Sequence, residues 1–279
     1  MFLAKGYPYF YGINFSLLFM KLLFTFLIIL GFVAGVEAQS LKLIETDLVK
    51  SFKKIPYFNK QRYKGAKNVA WDDSLAIANE VFAKTLQQYT TRFPATIAYP
   101  FSMLKKEHLG ICTSSDGLFR IYSWDNQTGG TMYFFDNVYQ FKTGTKTFSN
   151  IYKQKDEGDA GLDFYKIYMM KVQGKTYYIG VFLGIESSRY HFEGVNIFAV
   201  EDGKLNDNVK LIKTKSGLRS LLSYEYDVAS SVEWKNQPEI SFDATANAIN
   251  FPLVAANGKM TQKFITYKFT GQYFERIKN

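Results

Sequence analysis

The segment Arg120-Ile121-Tyr122-Ser123-Trp124-Asp125-Asn126-Gln127-Thr128-Gly129-Gly130-Thr131 puts an indole at a strand end, followed by polar side chains and two glycines. A Trp face beside Asp125, Asn126 and Gln127 has the chemistry to hold a sugar or a peptide. The ring stacks, the carboxylate and amides hydrogen-bond, and glycine lets backbone approach a ligand. The competing expectation is a Trp packed at a sheet corner above a polar turn. Arg189-Tyr190-His191-Phe192-Glu193 is a second mixture of charge and aromatic rings, in which His191 and Glu193 share one face of a strand. Trp124, Asp125, Asn126, Gln127, Arg189, His191 and Glu193 are therefore the candidate ligand contacts.

Carboxylates are densest in Lys155-Asp156-Glu157-Gly158-Asp159-Ala160-Gly161-Leu162-Asp163. Oxygen ligands on a flexible loop suit calcium, which makes Asp156, Glu157, Asp159 and Asp163 weak metal candidates. Their spacing does not follow the helix–loop–helix pattern, and a solvated hairpin loop is the competing expectation. An acid/base pair for glycoside hydrolysis would come from Asp125, Asp156, Asp159, Asp163 or Glu193, but sequence adjacency does not set the separation this chemistry needs.

Other chemistries are poorly served. Two histidines and one cysteine are too few for a tetrahedral Cys/His zinc site. The lone Cys112 lies in a strand-like context and reads as a buried free thiol. No G-x-S-x-G elbow is present. Ser102-Met103-Leu104-Lys105 fits S-x-x-K, yet so does Ser51-Phe52-Lys53-Lys54, and S-D-N is missing. No motif calls for a cofactor, and none is expected.

These residues need a scaffold, and the sequence describes one. Ser40 to Ile55 carries Leu41, Ile44, Leu48, Phe52 and Ile55 on one helical stripe, with Pro56 expected to stop it. Tyr57 to Ala66 reads as a basic, aromatic connector. A second helix is expected from Asp73 to Thr91, with Leu75, Ala78, Phe82 and Leu86 on its apolar face. From Ala95 onward, strands alternate with turns at Asp116-Gly117, Thr143-Gly144, Gln173-Gly174, Asp202-Gly203 and Asn257-Gly258. The expected fold is mainly β: two N-terminal helices packed on an antiparallel meander of about a dozen short strands, as a sandwich, barrel or propeller-like array. Strand-rich units recur about 40 residues apart, a weak hint of propeller blades.

Met20 to Ser40 reads as a secretion signal: Lys21, an apolar run from Leu22 to Val33, and small residues before a cut between Ala38 and Gln39. Residues 1–19 then come from a start called too early, 39–94 form a basic helical lead-in and 95–279 the β domain. The competing reading keeps the segment as a membrane anchor, with Lys21 inside the span. Residues 39–67 carry eight Lys/Arg against Glu45 and Asp47, a large share of the net charge of +9. Such an arm favours an anionic envelope surface, lipid or glycan; nucleic acid is not an expected partner of an exported protein. The chain has the general look of exported bacterial proteins, periplasmic or extracellular, with no motif that names a family. The leading expectation is a non-catalytic binding or envelope-associated protein, the alternative a hydrolase of a glycan or envelope polymer.

Overall fold

The computed structural model describes residues 23–24, 39–64, 70–152, 159–230 and 237–277. Met1–Leu43 and Ile44–Asn279 form separate compact units. In the first, 23–24 and 39–43 are described and helical. The rest of the expected signal, Asp156 and Glu157 lie outside the described residues. No helix among the described residues is long and apolar enough to cross a membrane.

Helix α1 covers 39–52. Pro56 does not end the helical stretch, contrary to the expectation above. Without an N–H it cannot bond the carbonyl four residues back, so the helix breaks into a turn at Lys53. Pro56 then sits in the first turn of α2 (Lys54–Tyr63), where a missing donor costs nothing. The stretch read as a connector is thus mostly helical. Helix α3 runs Trp71–Arg92, with Asp72 and Asp73 in its first turn complementing the dipole, and α4 is the short Ser102–Lys106. Glu45 is buried beneath α4: its Oε1 accepts the Met103 and Leu104 N–H at 2.6 and 3.2 Å, and Oε2 accepts the Tyr99 hydroxyl at 3.1 Å. Glu45→Gln keeps the shape but weakens these charge-assisted bonds. Urea melts should show a loss of about 1 kcal/mol; an unchanged midpoint would mean that the cap adds nothing.

Among the described residues the strands form three sheets. The first has β1 (Gly110–Thr113), β2 (Phe119–Asp125), β3 (Phe135–Thr143) and β4 (Lys146–Ile151) in sequential order. The second is built from β5 (Asp163–Val172), β6 (Lys175–Ile185), β7 (Tyr190–Glu201) and β11 (Leu221–Asp227), with β8 (Lys204–Asn206) added on β7. The third orders β10 (Gly217–Arg219), β9 (Ile212–Thr214), β15 (Phe274–Arg276), β14 (Met260–Phe269), β13 (Ala248–Val254) and β12 (Ser241–Asp243). Pairing is antiparallel except where β15 meets β9 at Phe274 and Ile212. The fold is mainly β, as the sequence indicates, with helices at the N-terminus and no closed barrel. The sheets differ in size and the third gathers strands from separate stretches, so the 40-residue spacing does not mark repeated blades.

The layers follow from where apolar side chains point. Phe119, Ile121 and Phe141 of the first sheet pack with Phe164, Tyr178, Phe182 and Phe198 of the second. The second sheet's other face sends Ile179, Val181, Val195 and Ile197 against Ile212, Ile249, Phe251 and Phe274 of the third. The first sheet's outer face is covered by helices: Phe82 meets Trp124 at 5.0 Å and Phe52 at 4.8 Å between ring centroids. Strand β2 is therefore buried on both faces. Its polar members are all bonded: the Arg120 guanidinium donates to the Thr96 and Tyr99 carbonyls and Thr113 Oγ1 at 2.9, 2.6 and 2.7 Å.

Candidate functional site

Trp124 does not present a face to a ligand. It is 2% exposed, its indole N–H donates to Asn79 Oδ1 at 3.0 Å, and its ring packs edge-on to Phe82. Strand alternation explains this: Trp124 points toward α3, so the corner-packing expectation describes it and the stacking expectation does not. Asn126 is also buried, as a scaffold for its own loop. Its Oδ1 accepts from the Thr128 N–H and hydroxyl at 3.0 and 2.7 Å, its Nδ2 donates to Asp136 at 3.2 Å, and its carbonyl accepts from Asn79 at 2.9 Å.

Asp125 and Gln127 do face an opening. With Asn59, Tyr63, Met132 and Tyr133 they line a hollow of about 230 Å³ between α2 and the β2–β3 loop. Asp125 Oδ1 accepts the Gln127 N–H at 2.8 Å, holding Gln127 in a left-handed conformation at φ 60°. Asn59 Nδ2 donates to Gln127 Oε1 at 2.9 Å, while Asn59 Oδ1 is enclosed with no partner. Arg62 clamps the rim through the Gln127 and Thr128 carbonyls at 3.3 and 3.4 Å and pairs with Asp72 at 3.0 Å. Gly129 permits the tight return of the loop, since a Cβ there would fall 2.0 Å from the Met132 carbonyl oxygen. The aromatic part is supplied by Tyr63 and Tyr133, 69% and 42% exposed. Both lie outside the sequence candidates. The signal for Tyr63 in the sequence is the basic, aromatic stretch 57–66.

The second sequence candidate forms a separate cluster. Glu193 on β7 faces β11, whose Tyr224 and Tyr226 hydroxyls donate to its two oxygens at 2.9 and 3.3 Å. Burial raises the Glu193 carboxyl above its ordinary range, and the tyrosines pull it partly back. His191 stands beside Tyr226 with Nδ1 enclosed and unpartnered, and burial lowers its pKa. Arg189 is not part of this cluster. It is bound to the buried Asp227 at 2.7 and 2.8 Å. The backbone brings the two candidate regions close: the Tyr133 N–H bonds the Ile185 carbonyl at 3.0 Å, and Ile185 pairs with His191.

Asp125 also acts on two further carboxylates, Asp136 and Asp163. Its charge raises both, although burial is the larger cause in each, and Asp163 is pushed up to about 6. Gly161, at φ 65°, holds this segment against β3; a Cβ there would sit 1.9 Å from the Phe135 carbonyl oxygen. Asp159 is engaged by the Tyr152 hydroxyl at 2.7 Å and the Gly161 N–H at 3.0 Å. Among the described residues no group of three or more His, Cys, Asp or Glu could hold a metal ion. Cys112 is buried and its thiol is pushed up to about 12, mainly by burial, which leaves it inert as a nucleophile. Ser102 and Lys105 are both exposed on α4. Comparison with protein-family models, curated proteins and solved structures finds no match to this chain.

Proposed function

We propose that this is an exported, non-catalytic binding protein that holds a hydroxyl-rich ligand, a glycan, in the hollow between α2 and the β2–β3 loop. One observation carries the reading: Asp125, Gln127 and Asn59 line the hollow together with two exposed tyrosine rings. Rings stack on sugar faces, while carboxylate and amide groups meet hydroxyls. Export to the periplasm or medium rests on the Met20–Ser40 pattern, and association with an anionic envelope surface on the basic 39–67 stretch. Saturation-transfer NMR with a panel of oligosaccharides tests the reading. Tyr133→Ala and Asp125→Asn should each weaken the best binder about tenfold or more, the cost of roughly one lost aromatic or charged contact, with the thermal midpoint little changed. Absence of any glycan contact, or affinities that ignore both replacements, would remove it.

A hydrolase working through paired carboxylates is the second reading. Asp163 pairs with Leu183, and Leu183 with Glu193, so the two acids share one face. Two strand spacings put their backbones about 10 Å apart, whereas the range that matters for inverting glycosidases is the separation of the carboxyl groups, about 6.5–9.5 Å. Against it, a Cβ on Gly110 would lie 3.3 Å from Asp163 Oδ1, so this carboxylate leans toward β1 and away from Glu193. Glycan turnover that disappears in Glu193→Gln, with folding intact, would make this second reading the correct one.

A further inference from the structure

An opening of about 1010 Å³ lies on the third sheet, with Leu222 of the second sheet at its margin. Its apolar lining includes Leu222 of β11, Leu253, Phe264, Ile265 and Ile277. Leu222 and Tyr267, both in its lining, also pack against the core between these sheets, so the floor of the cleft is that core continued outward. Strand β13 shifts register between Pro252 and Val254, and such irregularities bend a strand. In the lining itself Phe264 and Ile277 are both exposed, an apolar surface that a folded chain would ordinarily cover.

The charged groups are one-sided. Lys213, Lys215, Glu275 and Arg276 line the opening, and Glu275 is taken by Lys213 at 2.8 Å. Lys215 and Arg276 make no ion pair among the described residues. An apolar lining that also carries two cations outside any ion pair matches a molecule with a long hydrocarbon body and one anionic head. The volume sits at the upper end of the range for small-molecule sites.

We infer that this cleft binds a single-chain anionic amphiphile, specifically a long-chain fatty acid taken up as a monomer, its chain along Phe264 and Ile265 and its carboxylate at Lys215 and Arg276. The site is separate from the glycan hollow and does not rest on it.

Titration of the purified protein with hexadecanoate below its aggregation threshold, followed by calorimetry, tests the inference. Hexadecanoate should bind with one-to-one stoichiometry. The uncharged hexadecanol should bind at least tenfold more weakly, and Lys215→Ala/Arg276→Ala should lose a similar factor for the acid but not for the alcohol. Phe264→Glu, a change at an exposed position, should weaken both ligands while the thermal midpoint stays near that of the parent. No binding, or equal affinity for acid and alcohol, would overturn the inference. So would binding only to anionic vesicles, which indicates surface docking, or a dimer in sedimentation that disappears with Phe264→Glu, which indicates a second copy in the cleft.

Discussion

Trp124→Ala is expected to destabilise the fold by about 3–5 kcal/mol, the range for emptying a buried aromatic site. The ring lies between α3 and the first sheet, so its loss opens a cavity against Phe82. It also leaves Asn79 Oδ1 without the indole donor. Trp124→Phe keeps most of the volume and removes the hydrogen bond, for a smaller loss of about 1–2 kcal/mol. Urea melts of the three proteins measure both terms. A protein that tolerates alanine here, yet loses affinity for a glycan, would return Trp124 to the ligand face and invalidate the packing described above.

Asp163→Asn is expected to stabilise the protein near pH 7.5 and to do little at pH 4. Burial and the neighbouring Asp125 raise this carboxyl from 3.8 to about 6. The folded state thus holds the proton more tightly than the unfolded chain. Its contribution is complete below pH 4 and is lost as pH rises through 6. The rise from 3.8 to about 6 corresponds to about 3 kcal/mol, and partial solvent access reduces this to about 2 kcal/mol. Asparagine mimics the protonated form, so the gap between variant and parent should open between pH 4 and pH 7.5. The difference curve isolates Asp163 from Asp136, which is raised in the same direction. A gap of equal size at both pH values would show that the substitution acts through shape or new hydrogen bonds. NMR titration adds a check: Asp125→Asn should lower the Asp163 midpoint, because it removes the second cause.

The β character was readable because the turns declare themselves. Asp116-Gly117, Gln173-Gly174 and Asn257-Gly258 each lie between paired strands, with the glycines at φ 68°, 76° and 80°. Stacking order was not readable. Whether Phe119 faces another sheet or a helix depends on contacts far away in the chain, and β2 is buried at successive residues despite the alternation in its sequence, because both its faces are covered. Pro56 misled for a local reason: a proline that ends one helix is also acceptable in the first turn of the next. That single ambiguity hid α2, and with it Asn59 and Tyr63. The loop itself was visible as a polar, glycine-containing stretch after Trp124. Its orientation was not, since one strand places Trp124 inward and Asp125 at the opening. Tyr224-Glu225-Tyr226 carried the period-two signal for the Glu193 cluster, but only pairing with β7 gives those hydroxyls a common carboxylate.

The parallel contact between β15 and β9 also bears on the order in which the molecule assembles. Cores built from neighbouring hairpins close early, and long-range pairings close late. The interior shared by the first two sheets draws its buried residues from Cys112 to Phe198, through successive hairpins. The other interior needs Phe274 beside Ile212. A nascent chain can therefore complete one interior while the other still exposes Ile179, Val181, Val195 and Ile197. During that interval this half-finished sheet is the surface most exposed to aggregation or to capture by a chaperone.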